Sequence, residues 1–270
     1  MKTIRVLERA IATIRAIDAG NHSLRDIHLA TGIDKATLLR ILQTFQNEGV
    51  IRRSFIDNQY QRLPFSGVAG VYTEKQMAYA AVATPFLQEL QRVVLWPSDM
   101  LVFSKNTMLL LETTRRSSSI GLNPRYTSGY EVDIFLSAPG RAYLANCSEA
   151  ERKKIINYYQ KTPPVNARSK IVFKRELPTI INETRKNSYG RRDQYFGGGV
   201  EDISDFDDGF DAISVPLLSR NKIFGCISLV WPRKYKLHQK IINDHLEIFK
   251  KTANLIAEAL GEVDKKLPKG

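Results

Sequence analysis

The chain has 270 residues, 43% of them apolar, long for one hydrophobic core and ample for two. Forty basic against 28 acidic side chains give a formal charge of +12, which suits a polyanionic partner, either nucleic acid or an acidic membrane surface. Two distant cysteines, Cys147 and Cys226, without CxxC spacing exclude a disulfide framework and a zinc knuckle.

The opening "MKTIRVLERAIATIRAI" carries charges throughout, unlike a secretory leader, and no run of about 18 apolar residues is present to span a bilayer. The expected location is therefore cytoplasmic and reducing. Leu7, Ile11, Ile14 and Ile17 form a helical stripe over residues 4–18. "GNHS" breaks that helix, and Ser23 with Asp26 three residues on opens a second, whose inner face is Leu24, Ile27 and Ala30. After Gly32, Asp34 caps a third helix that ends near Gly49. Its core stripe is Leu38, Ile41, Leu42 and Phe45. The opposite face holds Ala36, Leu39, Arg40 and Gln43, so one apolar side chain, Leu39, sits among solvent-facing groups.

Two short extended runs, residues 50–56 and 59–63, flank a turn at Asp57-Asn58. Three helices plus a hairpin within about 65 residues predict a winged helix-turn-helix, in which the third helix enters the major groove. There Arg40 and Gln43 are placed to read base edges, Leu39 to meet a thymine methyl, and Lys35 and Thr37 to flank them at phosphates. The hairpin arginines Arg52, Arg53 and Arg62 are expected on the backbone or in the minor groove, adding affinity and salt dependence more than sequence choice.

Residues 66–95 read as a linker containing one or two helices. Beyond Trp96-Pro97, "DMLVFS" and "TMLLLETT" form a hairpin around Lys105-Asn106. "SAPGRAYLAN" and "SEAERKKIINYYQ" read as helices, the first opened by Ser137 and Pro139. A further helix over "RELPTIINETRKNSYG" is closed by Gly190. "DAISVPLL" and "IFGCISLVW" form a second hairpin around Arg220-Asn221, and a final helix presents Ile242, Leu246, Phe249, Ala253, Ile256 and Leu260 as its core stripe. Domains at 1–65, 66–95 and 96–264 follow, the last an α+β unit.

Alternation along the last strand places Phe224, Cys226, Ser228 and Val230 on one face. Ala212, Ser214 and Pro216 share a face of the strand before it, with Asp211 at its start. The small polar side chains fit either a mixed-character pocket or a packed core with a self-satisfied serine. The acidic stretch 193–211 lacks the alternating ligands and distal glutamate of a calcium loop and reads as a solvated loop, with "GGG" at 197–199 as a flap. No G-x-S-x-G or H-E-x-x-H motif accompanies the four histidines, so neither catalysis nor a metal or other cofactor is expected.

"DKATLLRILQTFQNEGVIRR", "SAPGRAYLA" and "ISVPLLSRNKIFGCISLV" together resemble the IclR-type family of bacterial transcription regulators. "VVLWPSDMLVF", "ETTRRSS" and "GCISLVW" are similar to a branch controlling aromatic-acid degradation. The resemblance implies an α+β chain: an N-terminal winged helix-turn-helix, a linker helix and a C-terminal GAF-like effector domain. It further implies a homodimer or homotetramer on a double-stranded DNA operator, and a small carboxylic acid, preferably aromatic, as effector. It also tips the small-polar sheet face toward an effector site comprising Ala138 and Gly140 at a helix N-terminus with Asp211, Ser214, Cys226 and Ser228. One departure concerns the segment before "SAPG", where Glu131 and Asp133 stand in place of the basic residue and Pro-Leu pair common in the family. The competing expectation is a constitutive DNA-binding protein whose C-terminal domain only oligomerises.

Overall fold

A computed structural model describes residues 4–63, 72–118, 120, 128–199 and 207–267. The N-terminal unit is α1 (Arg5–Asp18), α2 (Leu24–Thr31), α3 (Lys35–Asn47) and a hairpin of β1 (Ile51–Arg53) and β2 (Tyr60–Arg62). Local chemistry sets each boundary. Ser23 Oγ accepts the Asp26 N–H at 3.0 Å, and Gly32 ends α2 in the left-handed conformation at φ 66°. Asp34 caps α3 by accepting the Thr37 N–H at 2.9 Å. Ile17, Ile27, Leu38, Leu42 and Ile51 close a separate small core, whereas Ala30, expected inside, is exposed. The wing strands are shorter than the sequence suggests, because Ser54 accepts the amides of Ile56 and Asp57 and starts the turn early.

One helix, α4 (Glu74–Val93), follows, opened by a reciprocal Thr73–Gln76 capping box. The part of the predicted linker at 66–71 lies outside the described residues. The C-terminal unit is built on β3 (Ser98–Ser104), β4 (Thr107–Thr113), β5 (Glu131–Val132), β6 (Gly190–Arg191), β7 (Phe210–Ser219) and β8 (Lys222–Pro232). They form a six-stranded sheet in the order β5-β4-β3-β8-β7-β6, with antiparallel neighbours throughout. Both hairpin turns fall where expected, with Lys105, Asn106, Arg220 and Asn221 all at positive φ.

One face of the sheet packs α4 and the terminal helix α9 (His238–Asp264) around Trp231, Phe249, Leu87 and Ile227. The other packs α5 (Ala138–Asn146), α6 (Glu149–Lys161), α7 (Ala167–Ile171) and α8 (Leu177–Asn187) around Phe135, Leu144 and Val172. A π-helical turn, Val172–Glu176, joins α7 to α8. Helix α8 ends at Ser188 in the left-handed region, not at Gly190. Gly190 instead begins β6, where a Cβ would lie 2.4 Å from the Ala138 carbonyl oxygen. A bulge between Leu217 and Leu218, opposite Phe224-Gly225, breaks the alternation of β8. Phe224 therefore packs with α9 and Tyr79, while Cys226 and Val230 face α5.

Candidate nucleic-acid interface and ligand cleft

Helix α3 turns Leu38, Ile41 and Leu42 into the core and leaves Lys35, Ala36, Arg40 and Gln43 exposed, with Thr37 half-buried. Leu39 stays 49% exposed and does not pack under the wing. Gln43 Nε2 donates to Asn47 Oδ1 at 2.9 Å, which orients its amide along the same face. In the wing, Arg53 is exposed, its Nε donating to the Asn58 carbonyl and its guanidinium 5.8 Å from the Tyr60 ring centroid. Arg62 is half-buried and reaches back to Asp18 at 3.0 Å.

Arg52 departs from the expectation. It is 4% exposed and turned away from solvent, Nη1 donating to the Leu111 carbonyl at 2.6 Å and Nη2 to Glu112 Oε2 at 2.5 Å. A side chain so placed does not face DNA in this conformation. Its partner lies 60 residues along the chain, so the arginine-rich hairpin pattern carried no sign of it.

In the C-terminal unit the small polar face is packed, not hollow. Ser214 Oγ donates to the Ile227 carbonyl at 2.7 Å, Ser228 Oγ to Ser214 Oγ at 3.1 Å, and Cys226 Sγ to the Pro139 carbonyl at 3.4 Å. Each is at most 2% exposed. Burial pushes the Cys226 thiol well above the ordinary range, so it stays protonated and unreactive. Ala138 is buried beside them. A Cβ on Gly140 would meet the Ile134 carbonyl oxygen at 2.2 Å, so this helix start is pressed against the preceding loop. These five residues are small because α5 approaches the sheet closely, which corrects the expected effector site.

Asp211, the sixth, lines a cleft of about 550 Å³ at the β6–β7 edge of the sheet, together with Arg141, Arg168, Arg191, Arg192, Asp193, Phe210, Arg233 and His238. Sequence reasoning did not identify this arginine cluster, whose members come from α5, α7, β6 and the segments around them. Arg141 Nη2 and Arg168 Nη2 converge on Asp193 Oδ2 at 2.7 and 2.9 Å, and Arg168 also holds Glu176 at 2.7 Å. Burial would raise the Asp193 carboxyl, but the Arg168 hydrogen bonds, the Tyr195 amide and the two guanidinium charges bring it below the usual range. Asp211 is held low in the same sense against its burial, by His238, the Ala212 amide and Arg191.

The acidic stretch read as a solvated loop is thus partly paired. Asp207 meets Arg233, and Asp208 meets Arg192 at 2.5 Å. Residues 200–206 of this stretch lie outside the described residues, whereas the "GGG" at 197–199 lies within them, with Gly198 buried. Asp133 is buried within the fold, its oxygens accepting the Phe135 and Leu136 amides and the Ser169 hydroxyl. Among the described residues no group of three or more His, Cys, Asp or Glu side chains is placed to hold a metal ion, and no helix is long and apolar enough to cross a membrane.

Residues 6–54 match the IclR helix-turn-helix domain. The whole fold is similar to solved regulators at low identity. An IclR family transcriptional regulator from Brucella abortus shares 17% identity at a TM-score of 0.52, covering 97% of this chain and 93% of that one. The IclR of Thermotoga maritima gives 17% and 0.52, covering 96% and 100%. An IclR homologue from Microbacterium hydrocarbonoxydans, solved in complex with 4-hydroxybenzoate, gives 17% and 0.52, covering 95% and 99%. The N-terminal unit is therefore an IclR-type helix-turn-helix domain, and the chain as a whole takes the fold of IclR-type transcriptional regulators.

Proposed function

We propose that this protein is a ligand-responsive, sequence-specific transcription regulator acting in the bacterial cytoplasm as a homodimer or homotetramer. The observation that carries the reading is the outward face of α3, where Leu39, Arg40 and Gln43 stand exposed on a helix rigidly capped by Asp34. That face enters the major groove of a palindromic operator, with Lys35, Thr37, Arg53 and Arg62 at the phosphates. Residues 66–95 connect it to an effector domain at 96–264.

The effector is a small carboxylic acid, and the arginine-lined cleft beside Asp211 is its site. Guanidinium groups pair with carboxylates in planar, bidentate fashion, and Phe210 offers a ring wall to an aromatic acid. The 4-hydroxybenzoate complex of the Microbacterium protein supports the same ligand class. A regulator of this kind controls genes that degrade the acid it senses.

Footprinting on the DNA around the protein's own gene, with and without 4-hydroxybenzoate and a panel of related acids, tests the reading. A protected palindrome whose occupancy changes with one acid is expected. Protection that no acid alters, together with no calorimetric binding, would leave a constitutive DNA-binding protein.

A further inference from the structure

The seam between the two units carries a charge pair that neither base reading nor ligand capture uses. Arg52 on β1 and Glu112 on β4 are 4% and 0% exposed. Among the described residues β5 pairs with β4 at Met108 and Leu109, and the Leu110 amide and carbonyl bond Tyr130 and Gly129 just before β5. The next carbonyl, that of Leu111, is taken by Arg52. Glu112 Oε2 also accepts the Phe55 amide of the wing at 3.2 Å, and its Oε1 accepts the Thr113 amide at 3.1 Å. The Tyr72 ring lies 5.5 Å from the Arg52 guanidinium, and Gln88 of α4 donates to the Ile56 carbonyl of the wing turn.

Two properties make this contact reversible. A buried ion pair contributes little net stability, because desolvation offsets most of the attraction. The guanidinium is also incompletely satisfied, since Arg52 Nε is buried without a hydrogen-bond partner among the described residues. A phosphate oxygen pair in water-accessible surroundings would satisfy that fork better.

Building on the DNA-binding reading above, we propose that Arg52–Glu112 is a latch: the C-terminal sheet holds the wing and withholds Arg52 from the DNA backbone, and opening the seam releases it as one additional phosphate contact. The latched chain therefore binds DNA more weakly than the released one. Any influence that displaces Glu112 shifts the balance between the two states.

The test measures binding of the full-length protein to a duplex from upstream of its own gene across a salt series. Glu112→Gln keeps the shape and removes the charge. It should tighten binding by about threefold at low salt and steepen the slope of log affinity against log salt by about 0.9, the signature of one more phosphate. Adding Arg52→Ala to Glu112→Gln should return the slope to the wild-type value. Affinity and slope unchanged or reduced in Glu112→Gln overturn the latch while wild-type binding stands. Binding by neither protein overturns the DNA-binding reading and the latch together.

Should Glu112→Gln fail to fold, amide exchange on the wild type decides the matter. The Phe55 amide, which Glu112 accepts, should lose protection when the duplex is added. Retained protection in the DNA complex overturns the proposal.

Discussion

At the residue scale the sharpest feature is Leu39. A leucine half exposed on a helix face otherwise made of Ala36, Arg40 and Gln43 gains nothing from solvent and does not close over the wing. Facing the major groove, it can cover a thymine methyl while Arg40 spans a guanine edge. Arg40→Ala should cost about 1–3 kcal/mol of operator binding and relax choice at one base position, read by competition among single-base operator variants. An equal loss on every sequence would make Arg40 a phosphate contact instead. Leu39→Ala should weaken binding only where its base is thymine, and substituting uracil, which lacks the methyl, should reproduce the loss in the wild type. The exposure of this face was legible because the helical period of α3 sets which side looks outward. Arg52 was not: basic composition marks a hairpin as a wing, but nothing local announces a carboxylate that the fold delivers from β4.

At the element scale, three helix starts and the two hairpin turns of the six-stranded sheet were legible because their chemistry is local, whereas the end of α8 fell at Ser188 and not at Gly190. Ser23, Asp34 and Ser137 each accept the amide three positions on, within the first turn of their helix. Alternation along β8 failed at Phe224 because the bulge beside it is a property of strand pairing, not of either strand alone. The same limit explains the small polar face. Cys226, Ser228 and Ser214 look like pocket lining in sequence, and only the closeness of α5 shows them to be filler with internal hydrogen bonds. Gly225 marks the bulge at φ 148°, where a Cβ would meet the Leu101 carbonyl oxygen at 2.3 Å. Gly225→Ala should therefore destabilise the C-terminal unit by more than the roughly 1 kcal/mol of an ordinary backbone penalty, seen as a lower denaturant midpoint. An unchanged midpoint would mean the strand can slide to relieve the contact.

At the scale of the whole molecule, the seam gathers charges from both units, which makes it sensitive to acid. His22 follows α1 and hydrogen-bonds the Tyr60 carbonyl through Nδ1 at 3.1 Å. Its pKa lies below the ordinary imidazole value, first because of burial and second because of the Arg116 charge from the C-terminal unit, with the Tyr60 hydrogen bond and then Asp57 and Asp26 opposing. A histidine depressed in the folded state favours folding while neutral, so its contribution is present above the unfolded pKa of about 6.5 and fades as pH falls through the lower folded value. Below that window His22 must charge beside Arg116, and the wing should loosen from the sheet before either core is affected. Limited proteolysis between pH 7.5 and 5.5 should accordingly expose the 54–63 segment progressively, with little change in far-ultraviolet circular dichroism. His22→Gln, which keeps a hydrogen-bond donor for Tyr60 and cannot be protonated in this range, should remove that dependence. If His22→Gln loosens on acidification as much as the wild type, His22 is not the group that carries the sensitivity.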